Sequence, residues 1–140
     1  MIAGTAFRGS ARRPARVALL LGALLLATAS GAGAEAFLGA TRSVEDGTVM
    51  VELTPRAYQD GRLEVSIAVN THTANDLDRY RLERITVLEA GGKEYHPSSA
   101  PALRGHHSRG KLVFEVPALR PPFAIRIENL HDAGVKRFTW

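Results

Sequence analysis

Gly-Arg-Leu-Glu-Val-Ser-Ile-Ala-Val-Asn-Thr-His, residues Gly61–His72, is the stretch whose reading decides the fold. Leu63, Val65, Ile67 and Val69 recur at every second position, so an extended chain places them on one face. Arg62, Glu64, Ser66, Ala68 and Asn70 then fall on the other. Three of the four apolar residues are β-branched, which favours strand over helix on propensity as well as on period. The strand ends at His72 and gives way to Thr71–Asp78, a loop by composition.

Upstream, Thr48–Thr54 alternates with Val49, Val51 and Leu53 on one face, and Pro55 is expected to end it because proline cannot donate to a ladder. Gln59-Asp60-Gly61 is turn chemistry. Glu35–Asp46 has little pattern and reads as a flexible lead-in or an edge strand. Downstream, Arg79–Arg84 is two-sided. Tyr80 and Leu82 alternate as in a strand, whereas Leu77, Tyr80, Arg84 and Leu88 fit a short helix. Ile85 and Val87 open a clearer strand of opposite parity, which a bulge or break near Glu83 reconciles. Gly91-Gly92 supplies the positive φ of a tight hairpin turn, with Glu94–His96 returning. Ser98–Gly110 is a long loop; Lys111–Val116 alternates again, and Pro117–Pro122 is a connector. Phe123, Ile125 and Ile127 mark one more strand, and Val135–Trp140 the last. About seven short strands separated by turn signals predict an all-β fold, an antiparallel Ig-like or fibronectin-like sandwich over residues 47–140. Phe138 and Trp140 are expected to close its core.

Residues 1–34 stand apart. Arg8, Arg12, Arg13 and Arg16 precede the uncharged apolar run Val17–Ala29, and Ala32-Gly33-Ala34 fits a cleavage site, so a secretory signal peptide is expected. The apolar run is shorter than the ~20 residues of a membrane span, and Pro14 after Arg12-Arg13 speaks for ordinary secretion. The chain carries a formal net charge of +4. Those four arginines account for all of it, because no acid lies among residues 1–34. The remainder is balanced, which argues against nucleic acid as a partner. The chain contains no cysteine, which excludes thiolate nucleophiles, disulfides and cysteine metal sites. The expected product is a monomer in the periplasm or outside the cell, without stable membrane insertion.

Chemistry concentrates in two loops. His72 closes the central strand, and Gly105-His106-His107-Ser108-Arg109-Gly110 precedes another strand. Imidazole is a common nitrogen ligand for copper and zinc. His72, His106 and His107, meeting at one end of the sandwich, would form a three-nitrogen set with an open position. His96 is a fourth candidate, with Asp76, Asp78 and Met50 behind it. The competing reading makes these rings part of loop structure. His131, beside Asp132 in a turn, reads as a surface residue. Asn75-Asp76-Leu77-Asp78 has alternating oxygens but lacks the glycine and glutamate of a calcium loop, so a turn capping the next element is favoured. No Gly-x-Ser-x-Gly elbow or paired carboxylates are present, and no enzymatic activity is expected.

Val69-Asn70-Thr71-His72, Tyr95-His96-Pro97, Gly105-His106-His107-x-Arg109-Gly110-x-Leu112-x-Phe114 and the closing Arg137-Phe138-x-Trp140 resemble a group of small secreted bacterial and archaeal β-sandwich proteins of uncharacterised function. That group reads Thr-His-Ser and Gly-His-His-Arg-x-Gly where this chain has Thr73 and Ser108. The resemblance implies that the two histidine loops belong together, and it carries no activity or ligand with it.

The sequence thus predicts a secreted or periplasmic protein that binds a transition metal through loop histidines, copper being favoured over zinc because copper(II) tops the affinity order for nitrogen sites. The alternative is a non-catalytic Ig-like module that docks on an envelope protein through an edge strand or the Ser98–Gly110 loop.

Overall fold

A computed structural model describes residues 36–74, 76–132 and 134–140. The signal-peptide reading therefore lies outside the described residues, as does Asn75. The alternating stretch Gly61–His72 forms the strand expected of it. In chain order the strands are β1 (Arg42–Asp46), β2 (Val49–Gln59), β3 (Arg62–Thr71), β4 (Thr86–Ala90), β5 (Lys93–Tyr95), β6 (His107–Glu115), β7 (Ala124–Glu128) and β8 (Val135–Thr139). They make two antiparallel four-stranded sheets, ordered β1-β2-β3-β6 and β5-β4-β7-β8. The fold is an all-β sandwich.

The period-2 pattern of β3 is realised in full: Leu63, Val65, Ile67 and Val69 are buried, and the residues between them are not. Val51 and Leu53 of β2 and Leu112 and Phe114 of β6 lie in register with them on the inner face. Leu88, Ile125, Ile127 and Phe138 complete the core from the second sheet. Each such side chain contributes about 1.5–3 kcal/mol through burial, so a chain without disulfides is held by this layer. At the carboxyl end Trp140 stacks on Phe123, centroids 5.3 Å apart, and its indole N–H donates to the Ala40 carbonyl at 2.7 Å.

Three expectations need correcting. β2 does not stop at Pro55 but runs to Gln59, with a bulge between Pro55 and Ala57. β1 pairs with β2 no further along than Leu53, and the Pro55 carbonyl turns the same way, to accept from Gly39 N at 2.7 Å. The proline nitrogen therefore faces a side where no ladder bond is lost. Secondly, the stretch expected as a flexible lead-in contains β1, and its Phe37 is buried edge-on against Phe123. Of the two readings weighed for it, the edge strand forms.

Thirdly, the Ser98–Gly110 loop is strapped to β6. Ser98 N donates to the Val113 carbonyl at 2.8 Å, and Val113 N donates to the Ser99 carbonyl at 2.9 Å. Pro101 sits where a side chain on Gly110 would otherwise go. β6 itself begins at His107, four residues before the expected start at Lys111. The two-sided stretch 77–85 resolves into a 3-10 turn (Leu77–Arg79) and a single-turn helix, α1 (Leu82–Ile85), that anchor through buried Leu77 and Leu82.

Candidate functional site

Strand register brings the two histidine loops together. Asn70, near the end of β3, is the Cα partner of His107 at the start of β6, and Thr71 N donates to the His106 carbonyl at 2.9 Å. His72 and His107 consequently face each other edge to face, with ring centroids 6.5 Å apart and planes at 83°. His107 Nδ1 lies 2.9 Å from Asn70 Oδ1. An amide oxygen only accepts, so Nδ1–H is the donor of this bond, and in the neutral ring the lone pair then lies on Nε2, the nitrogen through which such a histidine would bind a metal. Both rings are exposed.

Two hydroxyls hold the loops that carry these rings. Thr71 is buried, and its Oγ1 accepts from Ala74 N at 3.0 Å and Thr73 N at 3.3 Å, which turns the chain around His72. Ser108 is the inward residue after His107. Its buried Oγ accepts from Arg104 N at 2.7 Å and donates to the Arg104 carbonyl at 2.8 Å, closing the loop that holds His106. The signal for Ser108 was present as parity, since a serine on the inward face of a strand needs a partner.

His106 sits in the bend before β6 and is exposed. His96 does not join the group: it follows β5 in the other sheet, with Nδ1 3.1 Å from the Thr86 carbonyl. Among the described residues, no three His, Cys, Asp or Glu side chains are placed to hold one metal ion together. The expected three-nitrogen set is thus a facing pair, with His106 one residue away. Met50 pairs with Asn70 across β2 and β3, so Met50, Asn70 and His107 form one row on the outer face.

The turn after β7 meets the same end of the sandwich. His131, expected at the surface, is only a quarter exposed, with Nδ1 2.9 Å from Asp76 Oδ1. Asp76 also receives Arg79 at 2.8 Å. Asp76 does occupy the N-cap position of the 3-10 turn but makes no side-chain cap bond; its carboxylate ties the His72 loop to the β7–β8 turn instead.

Away from this end, charge is organised on the outer faces of the sheets. Arg126 reaches Glu94 at 2.9 Å, Glu128 at 2.6 Å and also Glu89. Arg137 and then Arg126 hold the Glu89 carboxyl below its ordinary value. Lys111 does the same for Glu64 across β6 and β3. Among the described residues no helix is long and apolar enough to cross a membrane.

A β-sandwich with a histidine-bearing end is the class that fold and site define. No protein-family model matches the sequence, and no curated protein or solved structure matches it either.

Proposed function

We propose that the protein binds a transition metal, copper in preference to zinc, at the His72–His107 pair, in the periplasm or outside the cell. The observation that carries this reading is the orientation of His107: its Nδ1–H is spent on Asn70, and its ring stands against that of His72. A ligand imidazole anchored through its other nitrogen is the usual arrangement around a bound metal. Copper(II) tops the affinity order for nitrogen sites, which favours it over zinc. The role is binding rather than catalysis.

Docking to an envelope partner by strand addition has less to draw on. β6 is already paired at Val113 by Ser98 and Ser99, β5 has three residues, and β1 lies beside β8, where Arg42 Nε donates to the Thr139 carbonyl at 3.0 Å. Such edges offer little ladder to a partner.

Calorimetric titration with copper(II) and zinc(II) chloride tests the proposal. One-to-one, sub-micromolar copper binding is expected, lost in His72→Ala/His107→Ala and kept in His96→Ala. Binding unchanged in the double variant overturns it.

A further inference from the structure

We propose that Asp76 and His131 are positioning residues for the His72–His107 site, and that they couple metal occupancy to the turn between β7 and β8. This rests on the metal-binding reading above and says what holds the site in its binding geometry.

The turn is built to aim one ring. Asn129 and His131 both have left-handed backbones, with φ of +51° and +63°. Neither is glycine, so each holds a conformation that a side chain disfavours, and such positions persist only where the surroundings fix them. Asn129 N donates to the Gly134 carbonyl at 2.7 Å, and Gly134 N donates back to Asn129 Oδ1 at 3.2 Å. Leu130, between the two left-handed residues, is buried. Asp132 lies against Gly47 of the β1–β2 turn, where an added Cβ would meet its Oδ2 at 2.9 Å. Held on both sides, the turn sends the His131 ring to Asp76, 55 residues away in the chain, whose carboxylate only accepts and takes the Nδ1–H at 2.9 Å.

Asp76 closes the loop that carries His72. At the start of that loop Thr71 N is bonded to the His106 carbonyl, and Thr71 Oγ1 gathers Thr73 N and Ala74 N. His72 is the exposed residue within this wrap. At the far end Asp76 is held by His131 on Oδ1 and by Arg79 on Oδ2. The first fixture sets His72 beside β6, and the second reaches across to the other sheet. The loop is thus fastened to both sheets while the His72 ring faces His107. A ligand side chain whose loop is ordered beforehand loses less freedom when the metal arrives. The Asp76–His131 bond therefore contributes to affinity without touching the metal. Such coupling is reciprocal, so a metal that fixes His72 steadies the β7–β8 turn in return.

Hydrogen exchange read by mass spectrometry on the full protein, with and without copper(II) chloride, tests the coupling. The peptide covering the β7–β8 turn is expected to take up deuterium more slowly with copper bound, while the β4–β5 hairpin exchanges as before. This arm uses the unaltered protein and so stands whatever a variant does to folding. His131→Gly removes the ring and relaxes the backbone, since glycine is at ease at a left-handed φ. It is expected to keep its urea midpoint close to that of the unaltered protein, to bind copper about threefold to tenfold more weakly, and to lose copper's effect on the turn. Asp76→Asn keeps an acceptor for the Nδ1–H without the charge and is expected to fall between them. Copper that binds through His72 and His107 without slowing exchange in the turn overturns this inference alone, as does an affinity unchanged in His131→Gly. Copper binding indifferent to His72 and His107 overturns the proposed function and this inference with it.

Discussion

His107 and Asn70 lie side by side on antiparallel strands, and the imidazole Nδ1 stands 2.9 Å from the amide oxygen. That bond sets the tautomer and the ring plane of His107. Asn70→Ala removes it without touching a proposed ligand. Copper affinity is expected to fall about 10–100-fold, the usual cost of losing an outer partner of a ligand histidine, with the unfolding midpoint almost unmoved because both groups are near the surface. Calorimetry and urea unfolding on the same variant check the two halves.

Gly110 carries no strain in its own backbone, yet a Cβ there would meet Pro101 Cβ at 2.4 Å and Cγ at 2.6 Å. Gly110→Ala is expected to destabilise the fold by about 1–3 kcal/mol, as overpacking does in a filled site. Pro101→Gly in the same chain makes room, so the double variant is expected to lose less than the two single losses added together. A double-mutant cycle in urea measures the coupling.

The Glu89 carboxyl is held below its ordinary value of 4.5 by Arg137 first and Arg126 second. A depressed carboxyl stabilises the folded state above its unfolded pKa, and the contribution is lost as the pH falls through the lower folded value. Arg126→Gln is expected to lower the unfolding midpoint at neutral pH, and the gap from the unaltered protein should close in acid. These groups are partly exposed, so high salt should narrow the gap too. Denaturation curves across pH and salt decide it; a gap that persists in acid counts against the network.

Trp140 is the sole tryptophan of the chain, and it ties three distant segments together by stacking on Phe123 and donating to Ala40. Phe37→Ala removes the neighbour that packs edge-on against Phe123 at 4.9 Å and is expected to cost about 3–5 kcal/mol. The fluorescence of Trp140 should shift to the red as the amino-terminal segment loosens. Unchanged emission with unchanged stability would show that residues 36–41 contribute nothing to the core.

Much of the fold was legible because burial imposes a period. Leu63, Val65, Ile67 and Val69 announced β3, Leu112 and Phe114 announced β6, and Gly91-Gly92 marked the β4–β5 turn, with φ of +57° and +74°. Pro55 misled because the rule against proline depends on which side of the strand its nitrogen faces, and that depends on where β1 ends. β1 itself was faint: an edge strand buries few residues, and its main contribution, pairing with β2, leaves no mark on side-chain pattern. Of the site, the meeting of His72 with the Gly105–Gly110 loop was legible, since both flank strands that had to end somewhere. The separation of His96 and the pinning of His131 to Asp76 were not. Each depends on which sheet the chain has crossed into.

By itself the sequence determined most of the strands, the absence of disulfides, the alternating core residues of β3 and β6 and the chemical types available at the loops, because alternation and composition act over a few residues at a time. Only the tertiary structure decided which of those residues meet. The register of β3 against β6 sets Asn70 beside His107 and Ala68 beside Arg109, and it is fixed by the joint burial of both inner faces, since a slip of one residue would turn every core side chain outward.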